Sequence, residues 1–324
     1  MISVKNMSQS GGVVLREDRF AGCLMGVAIG DALGMPFEGM DARAIRADYG
    51  RVTEFLPAHE LAAGQYTDDT KMMLCIAESI QENVGVYPED VARRFVGWFD
   101  SGDLRGIGAT CQEAILNLKS GITWRESGRR GRWAAGNGTA MRIAPVGLID
   151  CHDVERLRED CRSTSVITHN NPEAVAGATA VAYAIARLVT DNLDEERLLA
   201  DTANFVGDSE VARKLIEAQD LLSINTPAAE ALEVLGTSGY VVETVASALY
   251  CFLKAPADFT STVSWAVLGG GDTDTTAAVA GAIGGAFNGL DNLPQHLVAQ
   301  VEDSERLNLL GRAIYQLVSS KGAD

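Results

Sequence analysis

Residues 175–186 read Val-Ala-Gly-Ala-Thr-Ala-Val-Ala-Tyr-Ala-Ile-Ala, and residues 277–286 read Ala-Ala-Val-Ala-Gly-Ala-Ile-Gly-Gly-Ala. Glycine costs a helix roughly 1 kcal/mol relative to alanine in water, so small residues at this density need compensation. Close helix–helix approach in a buried centre supplies it, and the intervening Val and Ile argue against a merely flexible segment. Helical spacing extends outward in both directions. Phe20, Leu24, Val27 and Ile29 mark a helix over 18–33. Thr67 stands where it can cap a helix running through Met72, Met73, Ile76 and Ile80, and Pro88 opens another that carries Val91, Phe95 and Phe99. The same reasoning predicts helices over 109–118, 153–161, 172–190, 195–205, 208–222, 227–235, 240–254, 260–268, 275–287 and 295–318. Sustained alternation of apolar and polar residues is missing, so the reading is all-α. Gly121–Gly138, with four arginines and two tryptophans, reads as an irregular loop. No composition break divides the chain. We read residues 1–17 as a loose tail and 18–320 as one domain.

The 324 residues can bury a large core, and 47% apolar content with a mean hydropathy of +0.04 describes a globular chain. The longest apolar stretches, such as Val175–Val189, are interrupted by Gly177, Thr179 and Arg187, which argues against a membrane span. Residues 1–12 carry one lysine and no apolar block, so no secretory signal is expected. A formal charge of −17 repels nucleic-acid phosphate. A small phosphorylated ligand remains compatible if cations and backbone N–H groups mask the local field. The six cysteines are scattered without a Cys-x-x-Cys, which points to reduced thiols and the cytoplasm. Four histidines without paired spacing argue against zinc.

Two acidic segments stand directly before helical stretches: Thr67-Asp68-Asp69-Thr70 and Asp272-Thr273-Asp274-Thr275. One such aspartate would be an ordinary helix cap, accepting from orphan N–H groups and facing the positive end of the dipole. Two side by side repel one another, and a divalent cation removes the repulsion. The second segment repeats the pattern after Gly269-Gly270-Gly271, which permits tight turns. Clustered carboxylates with hydroxyls form a hard, oxygen-only ligand set suited to Mg²⁺, Mn²⁺ or Ca²⁺. Thr67 and Thr275 add neutral oxygens to it.

These pieces fall into a known order. Gly22-Cys-Leu-Met-Gly-Val-Ala-Ile-Gly-Asp-Ala-Leu-Gly34, Glu38, Tyr66-Thr-Asp-Asp-Thr70, Gly136-Asn-Gly-Thr-Ala-Met-Arg142, Thr168-His169 and Gly270-Gly-Asp-Thr-Asp-Thr275 follow one another. In this the chain resembles the ADP-ribosylglycohydrolases over nearly its whole length. The resemblance implies a compact, single-domain orthogonal helix bundle with two divalent cations, Mg²⁺ or Mn²⁺, at one end. The implied ligands are Thr67, Asp68, Asp69, Asp272, Asp274 and Thr275. The implied reaction removes ADP-ribose from a modified side chain, most simply arginine, by attack of a water held by metal or carboxylate on the anomeric carbon. Gly136, Asn137 and Gly138 would cradle pyrophosphate at a helix start, with Asn137 also touching the ribose. His169 would donate to phosphate or ribose, and Trp133 would stack on adenine, although Trp98 and Trp124 serve equally on paper. Asp31 reads as structural. Arg142 is open between a phosphate and Asp31.

One feature departs from the arginine-directed members of that family, some of which carry an acid just before an Ile-Gly-x-x-Thr-like segment. Here the position is Gly106, with Asp100 and Asp103 upstream. The base is therefore sought among Asp100, Asp103, Glu38 and the carboxylates that orient water, Asp69 among them. Alternative readings are hydrolysis of serine-linked or O-acyl-ADP-ribose, and an immunity protein that neutralises a partner ADP-ribosyltransferase by binding, by de-ADP-ribosylation or by both.

Overall fold

The computed structural model describes residues 15–58, 60–190 and 194–321, among which sixteen α-helices form. Helices α1 to α5 cover Glu17–Gly34, Ala42–Asp48, Asp68–Asn83, Pro88–Ser101 and Ala109–Lys119. Helices α6 to α11 cover Ala144–Ile149, Val154–Ser165, Pro172–Val189, Leu198–Val206, Glu210–Ser223 and Ala228–Leu235. Helices α12 to α16 cover Val241–Lys254, Phe259–Leu268, Thr273–Asn288, Gln295–Gln300 and Ser304–Lys321. The all-α reading holds, and the strand content of the described residues is one short parallel pair, β1 (Arg129–Arg130) and β2 (His169–Asn170).

Helix α14 is buried along most of its length and packs against α1, α8, α12 and α13. Its contact with α1 is made by backbone. On α1, Gly22, Gly26, Gly30 and Gly34 recur every four residues, which places them on one face. A Cβ at Gly26 would stand 2.0 Å from the Gly281 carbonyl oxygen, and one at Gly30 would stand 2.0 Å from that of Ala277. Reciprocally, a Cβ at Gly285 would stand 2.0 Å from the Gly22 carbonyl oxygen. The glycine density read from sequence thus serves close approach. Phe20, Leu24, Met25 and Ile29 complete the core around it.

Four expectations are corrected. Helix α1 begins at Glu17, inside the expected tail, whose residues 1–14 lie outside the described residues. With the turn that follows, residues 17–37 are long enough to cross a bilayer and contain an 18-residue window of mean hydropathy 1.5, but 94% of that window is buried in the bundle. Helices α2 and α6 escaped notice. α2 spans under two turns and has Ile45 as its one fully buried residue, while α6 is buried on every side and so has no polar face to set a period. The expected 295–318 helix divides at residues 301–303, because the Glu302 N–H is drawn to the Gly64 carbonyl at 2.9 Å and the Asp303 carboxylate accepts from the Tyr66 hydroxyl at 2.8 Å.

The packing predicts opposite outcomes for one substitution at two helical glycines. Gly97→Ala on α4, where a Cβ meets nothing within 4 Å, should raise stability by about 0.5–1 kcal/mol. Gly26→Ala should lower it by about 1–3 kcal/mol through overpacking. Urea unfolding midpoints check both, and equal gains would show that the α1–α14 contact is loose.

Candidate active site

The close approach of α1 and α14 sets Asp31 beside the N-termini of α3 and α14. Its two oxygens accept from the Thr67 and Thr70 N–H groups at 3.0 and 3.1 Å, and from the Thr67 and Thr70 hydroxyls at 2.9 and 2.6 Å. Asp31 therefore does the work of a helix cap from another element. Thr67 occupies the N-cap position of α3 without a side-chain cap bond, so its expected capping role is corrected. Burial raises the Asp31 carboxyl to about 6 despite these four donors.

Around Asp31 the unpaired acids gather. Carboxylate oxygens of Asp31, Asp69 and Asp274 lie within 4.8 Å of one another. Asp69 Oδ1 is buried with no hydrogen-bond partner, while Oδ2 accepts from the Thr275 hydroxyl at 3.3 Å. Burial, and then the charges of Asp31 and Asp274, push the Asp69 carboxyl well above its usual range. Asp274 moves the same way through burial and then Asp272 and Glu38. Asp68 rises to about 7 by burial and the charge of Asp31, offset by a bond from the Gly108 N–H. Oxygen-only donors, an orphaned buried oxygen and uncompensated like charge together fit a divalent cation. Asp31 differs from the others because its lone pairs are already occupied.

The triple-glycine turn aims the second acidic segment. Gly270 and Gly271 both have φ of 70°, a conformation that disfavours other residues. Gly271 exchanges bonds with the Glu38 loop, since the Gly39 N–H reaches its carbonyl at 2.8 Å and its own N–H reaches the Met40 carbonyl at 3.0 Å. That exchange brings Glu38, exposed at the rim, to the same opening as Asp68, Asp69, Asp272, Asp274 and Thr275.

The opening is a cleft of about 210 Å³ whose opposite wall is Gly136, Asn137, Gly138 and His169. Three expectations about this wall are modified. The presumed helix start is a single 3-10 turn, Asn137–Thr139, and the Asn137 N–H is held by the Gly239 carbonyl at 3.1 Å. The Asn137 side-chain amide donates to Asp272 Oδ2 and to the Thr244 hydroxyl, each at 2.9 Å, and so ties the wall to the acidic segment rather than standing open for ribose. The expected loop at 121–138 contains β1, whose pairing with β2 positions His169.

Other expectations place residues elsewhere. Trp133 does not line the cleft; it is 74% exposed, and Arg132 stacks on its ring. Trp98 and Trp124 donate to the Asp103 carbonyl and to Glu89. Asp103 lies in a separate groove and is gripped by Arg105 at 2.7 and 2.8 Å, with Lys71 at 3.2 Å. The Arg105 bond holds its carboxyl below the usual range, a poor state for a base, and the expected role of Asp103 is corrected by its place outside the cleft. Asp100 pairs with Lys119. Arg142 reaches neither a cleft opening nor Asp31; it bonds Thr168 behind the wall. At Gly106 a Cβ would stand 2.7 Å from Asp68 Oδ1, so any larger residue would displace the acids.

The chain is similar to known proteins over nearly its whole length. The ADP-ribosylglycohydrolase family model matches residues 14–324. An uncharacterized protein of Archaeoglobus fulgidus is 38% identical over 93% of this chain and 97% of its own. ADP-ribosylhydrolase ARH3 of Homo sapiens is 27% identical over 92% of this chain and 93% of its own. ADP-ribosylarginine hydrolase Tri1 of Pseudomonas putida is 28% identical over 92% and 78%. A solved structure described as an ADP-ribosylglycohydrolase-related protein complex superposes with a TM-score of 0.77 at 27% identity, covering 93% of this chain and 98% of that one.

The acidic cluster predicts a change of sign. In chelator Asp69→Asn should stabilise the fold by about 1 kcal/mol, because it removes one of several mutually repelling buried charges. In saturating Mn²⁺ the wild type should gain about 2–3 kcal/mol, and the variant should gain much less. Thermal unfolding in the two buffers checks this; a variant less stable in both would mean that the carboxylate serves structure alone.

Proposed function

The chain belongs to the ADP-ribosylglycohydrolase family, and on that premise we propose that it hydrolyses the bond between the anomeric carbon of ADP-ribose and a protein side chain, arginine foremost. The observation that carries this reading is the meeting of three distant segments, around Glu38, Asp68–Asp69 and Asp272–Thr275, opposite the Gly136–His169 wall of one cleft. Thr67, Asp68, Asp69, Asp272, Asp274 and Thr275 would hold two divalent cations, Mg²⁺ or Mn²⁺, which when bound supply positive charge for the vicinal hydroxyls of the scissile ribose.

The protein's own groups do the rest. The Gly136–Gly138 wall and His169 bind the pyrophosphate, and the narrow cleft orients the sugar. As positive charge builds on the anomeric carbon, the surrounding carboxylates stabilise it. Glu38 takes the proton of the attacking water and passes it to the departing side-chain nitrogen as the bond to the anomeric carbon breaks, since Asp103 is outside the cleft. Arginine is favoured because a cationic guanidinium is drawn to a carboxylate-rich mouth, and the name of Tri1 is in line with it. Serine-linked or O-acyl-ADP-ribose is the second reading, supported by Gly106 where an acid would serve arginine chemistry. We place the reaction in the cytoplasm, in line with six free, buried cysteines.

Arginine-, serine- and cysteine-linked ADP-ribosyl substrates, each assayed with Mg²⁺, Mn²⁺ or chelator, test the proposal. The arginine conjugate should release ADP-ribose fastest and chelator should stop it. Asp68→Ala and Asp272→Ala should each lose more than about 100-fold, and Glu38→Gln about 100-fold or more in kcat. Undiminished release by Asp68→Ala in chelator would refute the mechanism. Neutralisation of a partner transferase by binding alone would instead survive these substitutions.

A further inference from the structure

Arg142 is 1% exposed, and among the described residues no carboxylate forms a salt bridge with it. Its Nη2 donates to Thr168 Oγ1 at 2.7 Å and to the Thr164 carbonyl at 3.3 Å, and its plane lies over the Phe95 ring at 4.8 Å. Leaving a guanidinium buried without an acid is unfavourable, so ordinary packing does not account for it.

The chain of bonds continues toward the cleft. Thr168 Oγ1 lies 2.8 Å from His169 Nδ1. Arg142 has only protons to give, so one lone pair of Thr168 Oγ1 accepts on that side. An oxygen already accepting from a guanidinium is better placed to give its proton to Nδ1 than to accept a second bond there. A neutral ring whose Nδ1 accepts carries its proton on Nε2. The ring is neutral because burial, then the charges of Arg142 and Arg129, lower His169 to about 3. The backbone is pinned as well, with the Arg129 N–H on the Thr168 carbonyl at 2.9 Å.

The far edge of the ring faces the glycines. A Cβ on Gly136 would stand 3.2 Å from Nε2, and one on Gly138 2.8 Å from Cε1 and 3.3 Å from Nε2. Nε2 has no hydrogen-bond partner among the described residues, although His169 is only 3% exposed and lines the cleft.

We infer that Arg142 is a positioning residue: through Thr168 it fixes His169 as the Nε2–H tautomer, a donor to an anionic ligand oxygen in the glycine-lined wall. Pyrophosphate as that anion rests on the function proposed above; the tautomer does not. Replacing Thr168 by valine removes the relay, and serine keeps it.

Long-range ¹H–¹⁵N spectra of ¹⁵N-histidine-labelled protein, in chelator and without ligand, read the tautomer directly. Wild type and Thr168→Ser should show the proton on Nε2 alone, and Thr168→Val a mixture. A wild-type proton on Nδ1, or a valine variant that keeps pure Nε2–H, overturns the relay. Should the valine variant fail to fold, the wild-type spectrum still decides, and Arg142→Met supplies a second break in the chain with the same expected mixture. Calorimetric titration with ADP-ribose should show binding weakened about three- to tenfold in Thr168→Val and restored in Thr168→Ser. Unchanged affinity overturns the donor role. A wild type that does not bind ADP-ribose refutes the proposed function and the pyrophosphate assignment, while the spectrum independently decides the tautomer.

Discussion

Backbone touching backbone between α1 and α14 is the constraint from which the rest of the molecule follows. Side chains at an interface can change rotamer, whereas carbonyl oxygens packed against glycine Cα atoms have no such freedom. The contact runs to the helix ends, where a Cβ on Gly34 would stand 2.5 Å from the Asp274 Cα and the Thr273 hydroxyl reaches the Gly34 carbonyl at 2.8 Å. The acid-bearing end of α14 is thus seated against the end of α1 that carries Asp31. Asp31 in turn grips α3, so the positions of Asp68, Asp69 and Asp274 derive from one rigid seam.

Electrostatics at the site and at the periphery follow different logic. On the outside, Arg94 meets Asp90, Glu78 and Glu82, and Arg306 meets Glu78 and Asp303. Such solvated pairs contribute little each. In the cleft Asp68, Asp69 and Asp274 face one another, sit at helix N-termini and are buried. The helix dipoles stabilise them only modestly, so the cluster opposes folding unless something positive joins it. The arrangement makes sense as a receptor, not as a brace.

How much of this was legible in the sequence depended on whether the signal was local. Periodicity marked the long helices because each has one face in the core and one in water. It failed for α6, buried all round, and for the break at 301–303, which arises from bonds to Gly64 and Tyr66 far away in the chain. The acidic segments declared themselves as adjacent like charges, which few structural roles explain. Asp103 and Trp133 were plausible on composition but are turned elsewhere, Asp103 by Arg105 and Trp133 by exposure beside Arg132. Thr168 and Arg142 could not be read as a relay at all, because 26 residues separate them and nothing in either residue type signals the other. Asn137 shows the same limit: the motif marked it, but only the fold reveals that its amide serves Asp272 and Thr244.

The seam also has a history during synthesis. Helix α1 is made early, and its partner α14 only after most of the chain has followed. Until then, a glycine-lined rod with the hydropathy of a membrane span has only its lesser contacts with α3, α6, α8 and α13 to lie against. Contacts this distant in sequence slow folding and leave intermediates prone to sticking together. The feature that fixes the site so firmly in the finished molecule thus leaves the glycine face of α1 uncovered in the nascent one until α14 is made.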